Sequence, residues 1–288
     1  MAALEVVGAA TSIRQIVMMN LLGFAGGHYS AVAKLLCPRL AEEIVDEGRR
    51  VLSARAMLRG RPYERIGRDV LLMGIFDGTQ HVMLSAVQSQ LERTDGGDGD
   101  DTLALARRAY ATPPRPLREL CRSAGAAAAP PSIARHLHLL AALPGRLPAA
   151  PLAAIADTLL GLVSTLRSSG RWAADHAARF EAAEIMCGLE GLAGVLELAD
   201  ADRRAALALP PSRGTPGDAE ADELAAGVAI GWFGARLASR LGALACATDA
   251  APPPALEGVE HTLLGGQRAA RARLRERMAL GIDGGRAS

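Results

Sequence analysis

Apolar residues recur every three or four positions along most of this chain, which is the spacing of a helix that buries one face. In residues 152–168 this spacing relates Leu152, Ile155, Leu159, Leu162 and Leu166, and it continues through 172–198. Half of the residues are hydrophobic but only 3% are aromatic. The apolar content is mostly Ala, Leu and Val, and Ala and Leu favour helix over strand. The sequence therefore predicts an all-α protein, a bundle-like array of many helices.

One stretch permits a different structure. Residues 69–84 carry an apolar run on each side of Asp77-Gly78, a dipeptide typical of hairpin turns. Neither run alternates strictly between apolar and polar residues, so we expect two helices that meet at this turn. The alternative is one short β-hairpin near residues 70–85.

Two segments that combine Gly, Pro and charge without apolar anchors are typical of linkers. They divide the chain into an N-terminal helical region with a glycine-rich joint (1–93), a linker (94–101), an Ala/Leu-rich helical scaffold (102–208), a second linker (209–222) and C-terminal helices (223–288). Pro38 lies inside the first predicted amphipathic helix, where we expect a kink or a break.

Composition limits the functions that the chain can have. A formal net charge of +1 gives no general attraction to nucleic acid or anionic membrane. Lys34 is the only lysine, which indicates a GC-rich genome, bacterial or viral. The four cysteines form no Cys-x-x-Cys pair and are expected to be small buried residues in a reducing cytosol. No basic leader opens the chain and no apolar run approaches about 20 residues. We expect a cytoplasmic protein, or one of the host-cell interior if the source is viral.

The stretch MMNLLGFAGGHYS, residues 18–30, is expected to be two helices joined by a glycine turn. An alternative treats Gly23, Gly26, Gly27 and His28 as a cofactor-binding loop. These residues resemble the N-terminal glycine loop of glycosyltransferases that bind nucleotide sugars. The resemblance implies a strand before the loop and a helix after it, with backbone amides that meet a diphosphate.

Residues 28–63 permit a helix-turn-helix with a basic surface. In that hypothesis the side chains that meet DNA phosphates are Arg49, Arg50, Arg55, Arg59 and Arg61. Four carboxylates at 42, 43, 46 and 47 would lie on the helix that enters the groove, where they repel phosphate. DNA binding is therefore the second interpretation.

Catalytic and metal-binding patterns are weak. His136 and His138 are two residues apart on a predicted helix and point to different sides, so we expect one to be buried and the other exposed. The titratable residues at 175–184 do not follow the Glu-x-x-His spacing of helical di-iron sites, and no Ser or Cys lies in a nucleophile motif. We predict no catalytic residue, no cofactor and no metal.

The last predicted helix, 262–280, carries a stripe of arginines opposite apolar residues, as helices that bind acidic partners do. The predicted partner-binding residues are Arg268, Arg271, Arg273, Arg275 and Arg277. By elimination, the sequence favours a non-enzymatic intracellular interaction protein, an adaptor, accessory or regulatory factor that binds another protein. A DNA-binding transcriptional regulator comes second and a nucleotide-sugar-binding enzyme third. A homo-oligomer is compatible with the small residues on the helices.

Overall fold

A computed structural model describes residues 1–75, 80–93, 102–116, 119, 132–209, 216–249 and 255–284. All regular structure within these ranges is helical, which confirms the all-α prediction. The helices of the described ranges are α1 (Ala2–Leu22), α2 (Gly27–Leu52), α3 (Pro62–Met73), α4 (Gln80–Arg93), α5 (Thr102–Ala111), α6 (Ile133–Ala142), α7 (Ala150–Ser168), α8 (Arg171–Ala174), α9 (His176–Ala199), α10 (Ala201–Ala206), α11 (Pro216–Ala247) and α12 (Ala255–Gly284).

Helix α9 forms the centre of the fold. Every residue from Ile185 to Glu197 is buried, as is expected of a helix surrounded by other helices. The helices that pack around it include α1, α2, α4, α6, α7 and α11. At Gly194 a Cβ atom would lie 3.0 Å from the carbonyl oxygen of Ala10 on α1. The glycine therefore allows α1 and α9 to approach this closely.

A glycine turn joins α1 to α2. Helix α1 ends at Leu22, and Gly23 follows with a φ of 57°, a value that L side chains rarely adopt. A 3-10 turn over Gly23–Gly26 then leads into α2. This arrangement confirms the interpretation of two helices about a glycine turn. Residues 18–22, which a nucleotide-sugar loop would require as a strand, are the last turn of α1.

At two places the structure decides between alternatives that the sequence leaves open. Helix α2 continues from Gly27 to Leu52 through Pro38, so it is not broken there. Its buried apolar face, which includes Leu36 and Leu40, outweighs the hydrogen bond that the proline removes. The hairpin alternative is wrong, because residues 70–73 and 80–85 are helical in α3 and α4. The dipeptide at 77–78 lies outside the described residues.

The hydrophobic core draws on all three predicted regions. It contains buried residues from Leu4 of α1 to Leu263 of α12. The first predicted linker, 94–101, lies outside the described residues. Helix α11 already begins at Pro216, so the second half of the linker predicted at 209–222 is helical. Proline suits the first turn of a helix, and the acidic residues that follow it are favourable near a helix N-terminus. The boundaries of the three regions stay a prediction.

Two helices, α1 and α7, are long and apolar enough to span a membrane by length and composition, each with a mean hydropathy of 1.3. This differs from the expectation that no apolar run approaches the length of a membrane span. Both helices contribute residues to the hydrophobic core, and α1 buries Arg14 against α9. Core helices of soluble proteins have these properties. The structure is therefore compatible with a soluble protein.

Candidate functional site

Polar side chains come together where α1, α2, α5 and α6 meet α9. We call this group the buried polar cluster. Apart from the half-buried Tyr110, each member is at most 6% exposed. Charged groups lose their hydration at such depth and require partners inside the protein. The members are Arg14, His28, Tyr29, Tyr110, His136, Glu190 and Glu197.

Arg14 lies between the two carboxylates of the cluster. Its Nε and Nη2 atoms each lie 3.1 Å from Glu190 Oε2, and its Nη1 atom lies 2.5 Å from Glu197 Oε1. Burial alone would lower the pKa of Arg14, but the two carboxylates raise it well above its ordinary value. The guanidinium therefore stays charged and joins α1 to two positions on α9.

Glu197 has partners at both carboxylate oxygens. Oε1 accepts a hydrogen bond from His136 Nε2 at 2.6 Å, and Oε2 accepts one from Tyr110 Oη at 2.7 Å. Burial by itself would raise the pKa of Glu197, but Arg14 and His136 outweigh it and hold this pKa at about 2. His136 Nε2 also lies 3.2 Å from Arg14 Nη1, so the imidazole, the guanidinium and the carboxylate all meet at this point.

His28 and Tyr29 close the other side of the cluster. His28 Nε2 lies 4.0 Å from Glu190 Oε1, and burial lowers the pKa of His28 to about 4, although Glu190 opposes this shift. The guanidinium of Arg14 lies 5.5 Å from the centre of the Tyr29 ring, in a cation–π contact. Both ring nitrogens of His28 and the Tyr29 hydroxyl have no hydrogen-bond partner among the described residues.

The burial of this cluster decides what it can do. Its charged groups are paired with one another, so these side chains act on the structure that surrounds them. They fix α1, α2, α5, α6 and α9 relative to one another.

A pocket lies between α2, α9 and α11. This pocket has about 570 Å³ of empty space, including the solvent at its mouth. Apolar side chains of α2 and α11 and the buried thiol of Cys187 lie among its lining, together with three arginines and two carboxylates. The lining residues are Leu35, Leu36, Arg39, Leu40, Glu43, Glu184, Cys187, Phe233, Arg236, Leu237 and Arg240.

Each arginine of the pocket is bound to a carboxylate. Arg39 lies 2.7 Å from Glu184, and Arg240 lies 2.5 Å from the same side chain. Arg236 has a longer contact of 3.3 Å with Glu43, and its side chain is 44% exposed. Its guanidinium also lies 4.6 Å from the centre of the Trp232 ring. Arg236 is therefore the pocket arginine whose ion pair is longest and whose side chain is most exposed.

Cys187 does not have the properties of a catalytic nucleophile. Burial raises the pKa of its thiol far above the ordinary range, so it stays protonated at neutral pH. Cys37, Cys187 and Cys246 are free thiols, with Cys187 buried and Cys246 exposed, and Cys121 lies outside the described residues. Within the described ranges, no group of three or more His, Cys, Asp or Glu side chains is arranged to hold a metal ion.

The structure separates the residues that the sequence singled out. Gly23 and Gly26 belong to the turn between α1 and α2 and Gly27 begins α2, whereas the side chain of His28 enters the buried polar cluster. His136 is 3% exposed and the side chain of His138 is 58% exposed, which confirms that one is buried and the other is not. The spacing of the two histidines does not predict the cluster that His136 joins.

The arginines of the DNA-binding hypothesis lie on and after the last turn of α2. Arg49 pairs with Asp46 and Arg50 with Glu47. Residues 27–52 form one long helix instead of a short recognition helix after a turn. The arginines at 50, 55, 59 and 61 are exposed, and they do not join the pocket or the cluster.

The predicted partner-binding arginines lie on α12. Those at 268, 271, 273 and 275 are exposed, and the side chain of Arg277 lies outside the described residues. That they bind a partner stays a prediction.

The residues of the buried polar cluster leave a recognisable pattern in the sequence. Arg14 is the only charged residue between Glu5 and Lys34, inside an apolar helix. Glu190 and Glu197 are seven residues apart in a segment that otherwise consists of Gly, Ala, Val and Leu, so they lie on one face of α9. Charges within apolar helices predict buried partners, but they do not identify them.

Residues 2–92 match the family model of the acyl-CoA dehydrogenase C-terminal domain. The match covers α1 to α3 and α4 up to residue 92, which is less than half of the 288 residues. The chain is thus similar there to an all-helical domain of an enzyme family. No curated protein and no solved structure matches the chain.

This match corrects the functional prediction. The non-enzymatic adaptor, accessory or regulatory factor is wrong, because the family that matches the first helices is a family of enzymes. The same finding overturns the DNA-binding regulator. The prediction of a non-enzymatic protein rested on the absence of short catalytic motifs. It failed because packed helices of this kind carry none of these motifs.

Proposed function

We propose that the chain belongs to an enzyme of the acyl-CoA dehydrogenase type and binds an acyl-CoA in the pocket between α2, α9 and α11. One observation carries this proposal. The matched residues 2–92 contain α2, and α2 supplies five of the eleven residues that line the pocket. The segment that resembles the enzyme family is therefore also a wall of the described cavity.

The chemistry of the pocket fits a ligand that is apolar at one end and anionic at the other. Leu36, Phe233 and Leu237 offer apolar contacts to an acyl chain. The arginines offer charge-assisted hydrogen bonds to the phosphates of a coenzyme A group. Since Arg236 holds its carboxylate by the longest of the pocket's ion pairs, it is the arginine that exchanges Glu43 for a ligand phosphate most easily.

A dehydrogenation also passes a hydride to an acceptor such as a flavin or nicotinamide. The glycine turn between α1 and α2 does not fit a dinucleotide of this kind. The glycine turn has no strand before it, and a Cβ atom at Gly26 would lie 3.2 Å from Leu22 Cβ and 3.3 Å from the Met18 carbonyl oxygen. This glycine serves the packing of the turn against α1. We assign ligand binding to the described residues and no redox step.

The fluorescence of Trp232 should respond to a ligand in the pocket. Trp232 lies next to Phe233, and the centre of its ring lies 4.6 Å from the guanidinium of Arg236. The chain has two tryptophans, and Trp172→Phe leaves Trp232 as the only one. We expect dodecanoyl-CoA to change its emission in a saturable titration, at lower concentrations than coenzyme A or dodecanoate alone. No change with the acyl-CoA, or equal responses to all three ligands, would overturn the proposal.

We also propose that the protein works in the cytoplasm. Its three described cysteines are free thiols, which is usual in a reducing compartment. Its two apolar helices contribute to the hydrophobic core.

A further inference from the structure

Residues 51–61, from the end of α2 to the residue before α3, protrude from the protein. We call them the α2–α3 segment. A 3-10 turn covers Ser53–Met57, and Gly60 follows with a φ of 80°, which a glycine adopts without strain. Every residue of the segment is exposed except Ala56, which is buried. The segment is therefore anchored to the protein body at one point, and its other side chains are open to solvent.

Two large apolar side chains are consecutive in the α2–α3 segment. Met57 is 73% exposed and Leu58 is 51% exposed. The backbone amide of Leu58 donates to the carbonyl of Arg55 at 3.5 Å, and that of Arg61 donates to the carbonyl of Leu58 at 3.2 Å. These bonds fold residues 55–61 into two successive turns. Met57 and Leu58 therefore lie close to the basic residues on both sides of them, and exposed apolar groups with a polar rim are typical of interaction sites.

The basic residues of this segment are three exposed arginines that form no ion pair within the part of the chain that the structure describes. They are Arg55, Arg59 and Arg61. The sequence has no carboxylate between Glu47 and Glu64, and both of these glutamates pair with other arginines. The described carboxylates therefore leave three positive charges of the segment without a counter-ion.

We propose that the α2–α3 segment binds the anionic surface of a lipid bilayer. Met57 and Leu58 enter the boundary between the headgroups and the acyl chains, as the apolar side chains of interfacial segments do. The three arginines contact the phosphates of the headgroups. A basic residue near an anionic leaflet strengthens binding about fivefold, so the charges and the apolar side chains act together.

The combination of these side chains favours a bilayer over nucleic acid. Phosphates of a nucleic acid would meet the arginines but would leave Met57 and Leu58 in water. Residues 51–61 also contain no aromatic side chain on which a base could stack. A bilayer satisfies both kinds of side chain at one surface, because its charged headgroups lie directly above its hydrocarbon.

Co-sedimentation of the full chain with lipid vesicles tests the proposal. We expect the wild type to bind phosphatidylcholine vesicles that contain about 30% phosphatidylglycerol, and to bind pure phosphatidylcholine about tenfold more weakly or less. The variant Met57→Ser, Leu58→Ser should weaken binding to the anionic vesicles by about tenfold or more. The matched control is Ile13→Ser, Ile16→Ser, at two side chains of α1 that are 45% and 64% exposed, and it should bind as the wild type does.

A second pair of variants tests the charges. Each removes three exposed arginines, so the net charge of the protein changes equally in both. The segment variant is Arg55→Gln, Arg59→Gln, Arg61→Gln, and it should bind anionic vesicles roughly a hundredfold more weakly. The control variant on α12 is Arg268→Gln, Arg271→Gln, Arg273→Gln, and it should bind nearly as the wild type does. Circular dichroism verifies the helical fold of each variant.

Several outcomes would overturn the proposal. One is a wild-type chain that does not bind the anionic vesicles, including one that binds duplex DNA instead. Another is equal binding to anionic and to pure phosphatidylcholine vesicles, or binding that persists unchanged between about 0.1 and 0.5 M NaCl, where exposed charges are screened. A third is equal weakening in the segment variants and their controls. None of these readings depends on the acyl-CoA pocket, because none of the changed residues lines it.

Discussion

The guanidinium of Arg14 and the carboxylate of Glu197 lie 2.5 Å apart, although 183 positions separate them in the chain. This contact joins the first helix to the last turns of the central one. The segment that matches the acyl-CoA dehydrogenase domain ends at residue 92. The buried polar cluster therefore interlocks that segment with the rest of the fold, and the pocket between α2, α9 and α11 depends on both parts.

Replacing Arg14 should destabilise the protein strongly. In Arg14→Met, Glu190 and Glu197 lose the buried cation that both contact. Breaking a buried ion pair by removing one partner costs about 3–5 kcal/mol, and we expect a loss of that size in the free energy of unfolding measured with urea. The control is Arg68→Met, which removes an exposed partner of Glu64 and should cost at most about 1 kcal/mol. Equal effects of the two substitutions would contradict the role of the cluster.

His28 should make stability depend on pH between 6.5 and 4. Its pKa is lowered from the ordinary 6.5 to about 4 by burial, so the unfolded chain binds a proton in this range that the folded chain does not. The free energy of unfolding then falls as pH drops, by at most about 1.4 kcal/mol per pH unit. Glu197, with a pKa of about 2 against an ordinary 4.5, adds a separate loss of stability below pH 4.5.

Urea unfolding at pH 7, 5.5 and 4.5 measures this dependence. The variant His28→Phe keeps a ring of similar size and should lose most of the dependence of the free energy of unfolding on pH. The variant His138→Gln, at an exposed histidine, should keep this dependence. If the wild type and His28→Phe had the same slope over this range, His28 would not be neutral in the folded protein.

Gly194 should not tolerate alanine. The added Cβ would lie 3.0 Å from the carbonyl oxygen of Ala10, and the backbones of α1 and α9 would have to separate. Overpacking of this kind costs about 1–3 kcal/mol. Gly161 of α7 offers a matched control, because a Cβ there meets nothing within 4 Å. Gly161→Ala should stabilise the helix by up to about 1 kcal/mol, and a stable Gly194→Ala protein would contradict the close contact.

The spacing of apolar residues predicted the helices well. A helix that packs on one face needs apolar residues every three or four positions, so the packing decides both the spacing and the helix. Leu152, Ile155 and Leu159 are all fully buried on α7. Helix α2 passes through Pro38 because its core contacts outweigh a local preference, which a sequence pattern does not measure. The site was beyond prediction for a different reason. Glu43, Cys187 and Arg236 share one pocket only after three distant helices have packed.

The most direct test of the proposed function is a calorimetric titration of the full-length chain with dodecanoyl-CoA. We predict saturable one-to-one binding. The affinity should fall at least fivefold in Arg236→Ala, because this variant removes a phosphate-binding cation and leaves Glu43 to repel the ligand. Arg68→Ala, which also removes an exposed arginine from an ion pair with a glutamate, should bind as the wild type does. No saturable binding by the wild type, or equal weakening in both variants, would contradict an acyl-CoA site between α2, α9 and α11.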